Sequence, residues 1–167
     1  MTDPIKTLYD EDFLVWSRQQ AKALRSAARG SSNQTLDWQN LAEEIEDLGK
    51  RERRELASRV STIIEHLIKL ARSPAKNPRR AWRQTVRRSR IEIGRILQQS
   101  PSLRNEVPHV AMAEAKAAAE LALEELSTRG ESRRSRPPAS EVQPPGVPQS
   151  FTPEQILGDW FPPEPKA

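Results

Sequence analysis

Residues 36–72 read LDWQNLAEEIEDLGKRERRELASRVSTIIEHLIKLAR, and this stretch decides the fold. Its start is marked twice. Asp37 is placed to cap a helix, and Leu36 before it is spaced to pack on Leu41 as a hydrophobic staple. Apolar residues then recur at helical spacing as far as Arg72, and Pro74 closes the run. An unbroken helix of this length spans roughly 50 Å. A kink is expected near Gly49, because glycine weakens a helix interior.

Working outward, a first helix is expected to start at Asp10, where Asp10, Glu11 and Asp12 put negative charge against the helix dipole. Its stripe is Phe13, Trp16, Ala21, Leu24 and Ala28, and Gly30, Ser31, Ser32 and Asn33 end it. A third helix follows Pro78, with Trp82, Val86, Ser89, Ile93 and Ile96 or Leu97 on its apolar side. A fourth is expected to open with Ser100 as cap and Pro101 in its first turn, and to run through Leu103, Val107, Val110, Ala111, Ala115, Ala118, Leu121 and Leu126 to Gly130. Pro108 in its second turn is expected to bend it. No strand alternation and no internal repeat is visible. The expected fold is therefore all-α: a helical bundle of four main helices over residues 8–130, the second longest, the second and third antiparallel.

Residues 131–150 hold five prolines and almost nothing to bury, which reads as a flexible Pro-rich linker. Residues 151–167 turn apolar again. Phe151, Ile156, Leu157, Trp160 and Phe161 surround a short helix signal, with Thr152 as cap and Pro153 at the first position. So many large apolar side chains are costly in water, so this tail is expected to dock on a helical surface, its own or a neighbour's.

The 167 residues fit one domain plus a tail, with enough chain to bury a core without crosslinks. The absence of cysteine excludes disulfide scaffolds, thiolate zinc sites and cysteine nucleophiles, and fits a reducing cytoplasm. Met1 to Leu8 shows no signal-peptide run. The longest apolar segment, Ile63 to Ala71, is interrupted by Glu65, His66 and Lys69, far from the roughly 18 apolar residues of a membrane span. A cytoplasmic protein without a membrane partner is expected. The formal charge of +4 is unevenly spread: residues 72–104 carry ten Lys and Arg against Glu92 alone, while the segments on either side are net acidic.

Several motifs carry a family resemblance. They are Tyr9-Asp10-Glu11-Asp12-Phe13 with Trp16; Asp37-Trp38 with Asn40-Leu41 and Glu43-Glu44-Ile45-Glu46-Asp47-Leu48-Gly49; His66-Leu67 with Lys69; Trp82-Arg83 with Thr85; Ser100-Pro101-Ser102-Leu103; and Thr152-Pro153-Glu154-Gln155-Ile156-Leu157. On these the chain resembles the bacterial family called domain of unknown function 29, over roughly residues 8–161. The chain departs from the family in the Pro-rich insertion before the tail. The resemblance implies a helical bundle and assigns no activity.

Three constellations are candidates for function. The first is the basic third helix: Arg79, Arg80, Arg83, Arg87 and Arg90 flank its apolar stripe. Arginine forks suit phosphates and nucleic-acid backbones, but also protein partners or an internal partner in the Glu-rich second helix. The second is a polar seam, Glu52, Arg59 and His66, spaced by seven from Ile45 and so continuing the face expected from Leu41, Ile45 and Leu48. It reads either as a register-fixing network or as a polar pocket with His66 as proton acceptor. The third is the acidic cluster Glu43, Glu44 and Asp47, neighbours at three and four residues on a helix. Such clusters hold Mg or Mn in helical nucleotide pyrophosphatases, but no second Glu-x-x-Asp follows downstream. His109 stands alone and is expected at the surface. With no glycine-rich phosphate loop, no Ser-His-Asp pattern and no His-x-x-x-His, an enzyme has little direct support. An interaction or regulatory module, with a protein partner or self-association and no cofactor, is the favoured expectation. Nucleic-acid binding and a metal-dependent hydrolase are the alternatives.

Overall fold

The computed structural model describes residues 4–30, 36–128 and 151–165. All regular structure among them is helical: α1 (Pro4–Glu11), α2 (Phe13–Gly30), α3 (Trp38–Arg72), α4 (Arg79–Gln99), a 3-10 helix (Pro101–Glu106), α5 (Val107–Thr128) and α6 (Pro153–Leu157). The expected linker, and Gly130 as a helix end, fall outside the described residues. The chain divides into two units, Met1–Leu56 with Gly94–Glu106, and Ala57–Ile93 with Val107–Ala167.

In the first unit the acidic triplet does not start a helix. It sits across a break between two, and α1 already begins at Pro4. The cause is Asp12. Its carboxylate accepts from the Val15 amide at 2.9 Å, capping α2, and from the Ser102 amide at 2.7 Å, tying α2 to the 3-10 helix. Tyr9, Phe13 and Trp16 bridge the break as an aromatic cluster, Tyr9 standing edge-on to both partners with ring centroids 5.7 and 4.8 Å away. Asp37 caps α3 as expected, accepting from the Asn40 amide at 3.1 Å.

The expected face of α3 is corrected. Leu41 and Leu48 are exposed and Ile45 is half-buried, whereas Ala42, Gly49 and Leu56 are buried. Small residues win this face because α2 lies so close. A Cβ on Gly49 would sit 2.3 Å from Ser17 Oγ and 2.9 Å from Leu14 Cδ1. The glycine admits a neighbouring helix, and α3 is uninterrupted through it. Gly49→Ala is therefore expected to destabilise by about 1–3 kcal/mol through overpacking, although alanine is the better helix former. Ser17→Ala should restore part of that loss, because it removes the nearest clashing atom. Thermal melts of the single and double variants check this.

The fourth helix is also corrected. Ser100 and Pro101 open a 3-10 helix, and the α-helix begins only at Val107. Pro108 then falls in the first turn of α5, where its missing N–H costs nothing.

In the second unit, Val60, Ile63, Ile64, Leu67, Ile68 and Leu70 of α3 are fully or nearly fully buried. So are Trp82, Val86, Ser89 and Ile93, the expected stripe of α4. The buried face of α5 is built on small residues, Ala111, Ala118 and Ala122, with Leu126 at its end. Leu70, Trp82 and Leu126 form one core cluster, and Phe161 from the C-terminal segment packs against it. That segment also buries Phe151 and Ile156. Each such side chain contributes about 1.5–3 kcal/mol of burial free energy, which offsets the cost of ordering a short segment.

Candidate binding site on the basic helix

The site is built from the C-terminal segment upward. Thr152 and Gln155 form a reciprocal capping box: Thr152 Oγ1 accepts from the Gln155 amide, and the Gln155 side chain accepts from the Thr152 amide at 3.0 Å. Pro153 takes the first helical position. A helix this short leaves carbonyls without intrahelical donors at its end. Arg90 of α4 supplies them: Nε donates to the Ile156 carbonyl at 2.9 Å, and Nη2 to those of Gln155 at 2.8 Å and Trp160 at 2.7 Å. Burial draws the Arg90 pKa down from the ordinary arginine range, opposed by the Asp159 carboxylate. Phe161 then lies under three guanidinium groups, those of Arg90 at 4.9 Å, Arg83 at 5.6 Å and Arg87 at 5.8 Å from its ring centroid.

One turn-spacing further towards the start of α4, Glu164 faces Arg79 Nε at 3.4 Å and Arg83 Nη2 at 3.6 Å. Arg79 is only 7 % exposed, and its Nη1 donates to the Ser73 carbonyl at 2.9 Å. Lys76, Arg79, Arg80, Arg83 and Arg87 line an open cleft of about 570 Å³ together with Glu164. The structure thus divides the five arginines of the basic helix. Arg90 is a structural anchor. Arg79, Arg80, Arg83 and Arg87 share a cationic cleft. The carboxylate that Arg79 and Arg83 face is in the tail and not in the Glu-rich second helix of the sequence reading.

The residues of the polar seam are divided between the two units, Glu52 in the first and Arg59 and His66 in the second. Glu52 accepts from the Ser100 hydroxyl, Arg59 is half-buried, and His66 Nδ1 lies 2.9 Å from the Thr62 carbonyl, an acceptor that requires the proton on Nδ1. Glu52 borders a separate cleft of about 340 Å³ with Tyr9, Asp10, Phe13 and Gln99. Burial pushes its carboxyl above the ordinary glutamate range, the Ser100 hydrogen bond opposes this, and the Asp12 charge adds to it. A carboxyl whose pKa rises on folding stabilises the folded state as pH falls into the window between its unfolded and folded values. Relative to Glu52→Gln, the wild type is therefore expected to gain stability as pH is lowered from neutral towards the ordinary glutamate value. Paired denaturation curves across that range check the sign.

The acidic cluster is not assembled as a site. Glu43 accepts from Gln39 at 2.7 Å, Asp47 accepts from Lys50 at 2.9 Å, and Glu44 points to solvent. The Lys50 contact holds the Asp47 carboxyl below its ordinary range. No group of three or more His, Cys, Asp or Glu among the described residues is placed to hold a metal ion. His109 is exposed.

Two features escape a reading of the sequence. Lys69 is 2 % exposed, with its ammonium between Glu65 and Glu125. The signal for it was present as Glu65 four residues before a lysine inside the longest apolar run. The second is Phe161 under the arginines, for which the sequence shows only an aromatic tail and a basic helix.

Together these features define an all-α helical protein whose C-terminal segment is seated on a basic helix, with no helix among the described residues long and apolar enough to cross a membrane. The chain belongs to the family described as domain of unknown function DUF29, whose model matches residues 8–160. It is similar to an alpha-helical protein of unknown function from Rhodospirillum rubrum, a crystal structure, with 25% identity and a TM-score of 0.68 over 89% of this chain and 88% of that one. No curated protein matches the chain.

Proposed function

We propose that this protein is a non-catalytic interaction module of the bacterial cytoplasm, which presents the basic face of α4 to an acidic segment of a protein partner. One observation carries the reading: the cleft lined by Lys76, Arg79, Arg80, Arg83 and Arg87 already receives a peptide carboxylate, that of Glu164, from the chain's own extended tail. An acidic peptide is thus a shape and a charge that the cleft accommodates. The tail serves the module by holding Arg83 and Arg87 over Phe161, which removes part of the side-chain entropy that a partner's binding otherwise costs.

The test is binding of a fluorescent acidic peptide to the full chain, set beside a short DNA duplex, across a range of salt. The expected result is that the peptide binds and that Lys76→Glu with Arg80→Glu, two exposed positions of the cleft, abolishes it without changing the melting temperature. Tighter binding of duplex, with affinity falling steeply as salt rises, favours the nucleic-acid alternative instead. Binding of neither ligand overturns the reading.

A further inference from the structure

Glu164 is a poor match for the groups around it. Its Oε1 alone serves both Arg79 and Arg83, at 3.4 and 3.6 Å. A charge-assisted N–H···O bond is closer, about 2.7–2.9 Å. Arg79 Nε and Nη2 and Arg83 Nε are buried and make no hydrogen bond to the described residues. Buried donors without acceptors are costly, so the cleft is short of acceptor oxygens. Among the described residues it is also short of negative charge, with one carboxylate set against Lys76 and four arginines.

The segment that carries Glu164 has a firmly held root and an exposed tip. The root is fixed by Arg90 on three carbonyls and by buried Phe151 and Ile156. At the tip, Pro163 is exposed and the Glu164 side chain is 68% exposed. Displacing the exposed Glu164 side chain breaks none of the contacts that hold the root.

We propose that the Arg79–Arg83 cleft is a receptor for a phosphate monoester, and that Glu164 is the tail's own competitor for it. The inference rests on the reading of α4 as a face for acidic partners and names the group that face takes. A phosphate monoester brings three terminal oxygens and nearly two negative charges at neutral pH, which answers both shortages at once. Arginine forks match its geometry, and the buried Arg79 is already oriented by its bond to the Ser73 carbonyl. A phosphodiester offers fewer free oxygens and a single charge, so the cleft favours the monoester over a nucleic-acid backbone. A phosphorylated side chain and free phosphate share this chemistry.

The test uses the full chain and a short proline-flanked peptide with phosphoserine at its centre, its aspartate and serine analogues, inorganic phosphate alone and a short DNA duplex. The phosphoserine peptide is expected to bind about ten-fold more tightly than the aspartate peptide at neutral pH, with the gain shrinking below about pH 6 as the phosphate takes up its second proton. Glu164→Gln should tighten phosphoserine binding several-fold by removing the competitor. Arg83→Gln should abolish the gain, and the exposed Arg80→Gln should reduce it with an unchanged melting temperature. Inorganic phosphate binding as tightly as the peptide supports the inference with the free ion as ligand. Equal binding of phosphoserine and aspartate peptides, no tightening in Glu164→Gln, or preference for the duplex overturns it. If the aspartate peptide binds but phosphate brings no gain, only this inference fails. If no acidic peptide binds, the reading of the α4 face fails with it.

Discussion

Arg90→Ala is expected to lower the melting temperature by about 10–15 °C, the equivalent of roughly 3–5 kcal/mol. The side chain makes three hydrogen bonds to carbonyls of the C-terminal segment and covers Phe161. Its removal leaves the carbonyls at the C-terminal end of α6 and that of Trp160 without these donors and opens Phe161 to water, so the loss exceeds that of a single hydrogen bond. Arg90→Lys should recover little, since a point charge on a flexible stem cannot serve three acceptors in a fixed fork. The same variants should become sensitive to proteolysis within residues 151–165 at temperatures where the wild type is resistant. A melting temperature within two or three degrees of wild type, about the effect of 1 kcal/mol, shows that the segment does not depend on Arg90.

The second large effect concerns Lys69, which has almost no contact with solvent and is neutralised by Glu65 and Glu125. Replacing both carboxylates with alanine strands a buried ammonium group, at an expected cost of about 3–5 kcal/mol. Lys69→Met should cost clearly less. It fills the same space with an apolar chain, and the carboxylates it leaves behind reach water, with 22% and 34% side-chain exposure. Chemical denaturation of the two variants gives the order directly. If Lys69→Met is the more damaging change, the pair of carboxylates does not compensate a buried charge.

The long elements were legible because their signals are local. Asp37 caps α3, the Trp82 to Ile93 stripe is buried, and the Thr152 box starts α6, each from residues a few positions apart. What failed were positions decided by contacts distant in sequence. Asp12 reads as one more acid at a helix start, but Ser102 makes it a junction between two helices. Leu41 and Leu48 read as core, yet the face that packs is set by how closely Ser17 approaches Gly49. A wheel drawn on apolar residues alone undervalues glycine and alanine, which are buried for closeness and not for hydrophobic area. The arginines of α4 were legible as a group, but their division into anchor and cleft was not, because Glu164 and the carbonyls that divide them lie more than sixty positions away.

The most direct test of the α4 face is a titration of the full chain, labelled with 15N at its arginine side chains, with an acidic peptide. The guanidinium Nε–H signals of Arg83 and Arg87 are expected to move as the peptide is added, while that of Arg90, held by the tail carbonyls, stays in place. Movement confined to arginines elsewhere, such as Arg18, Arg25 or Arg53, or no movement at all, contradicts the assignment of α4 as the binding face.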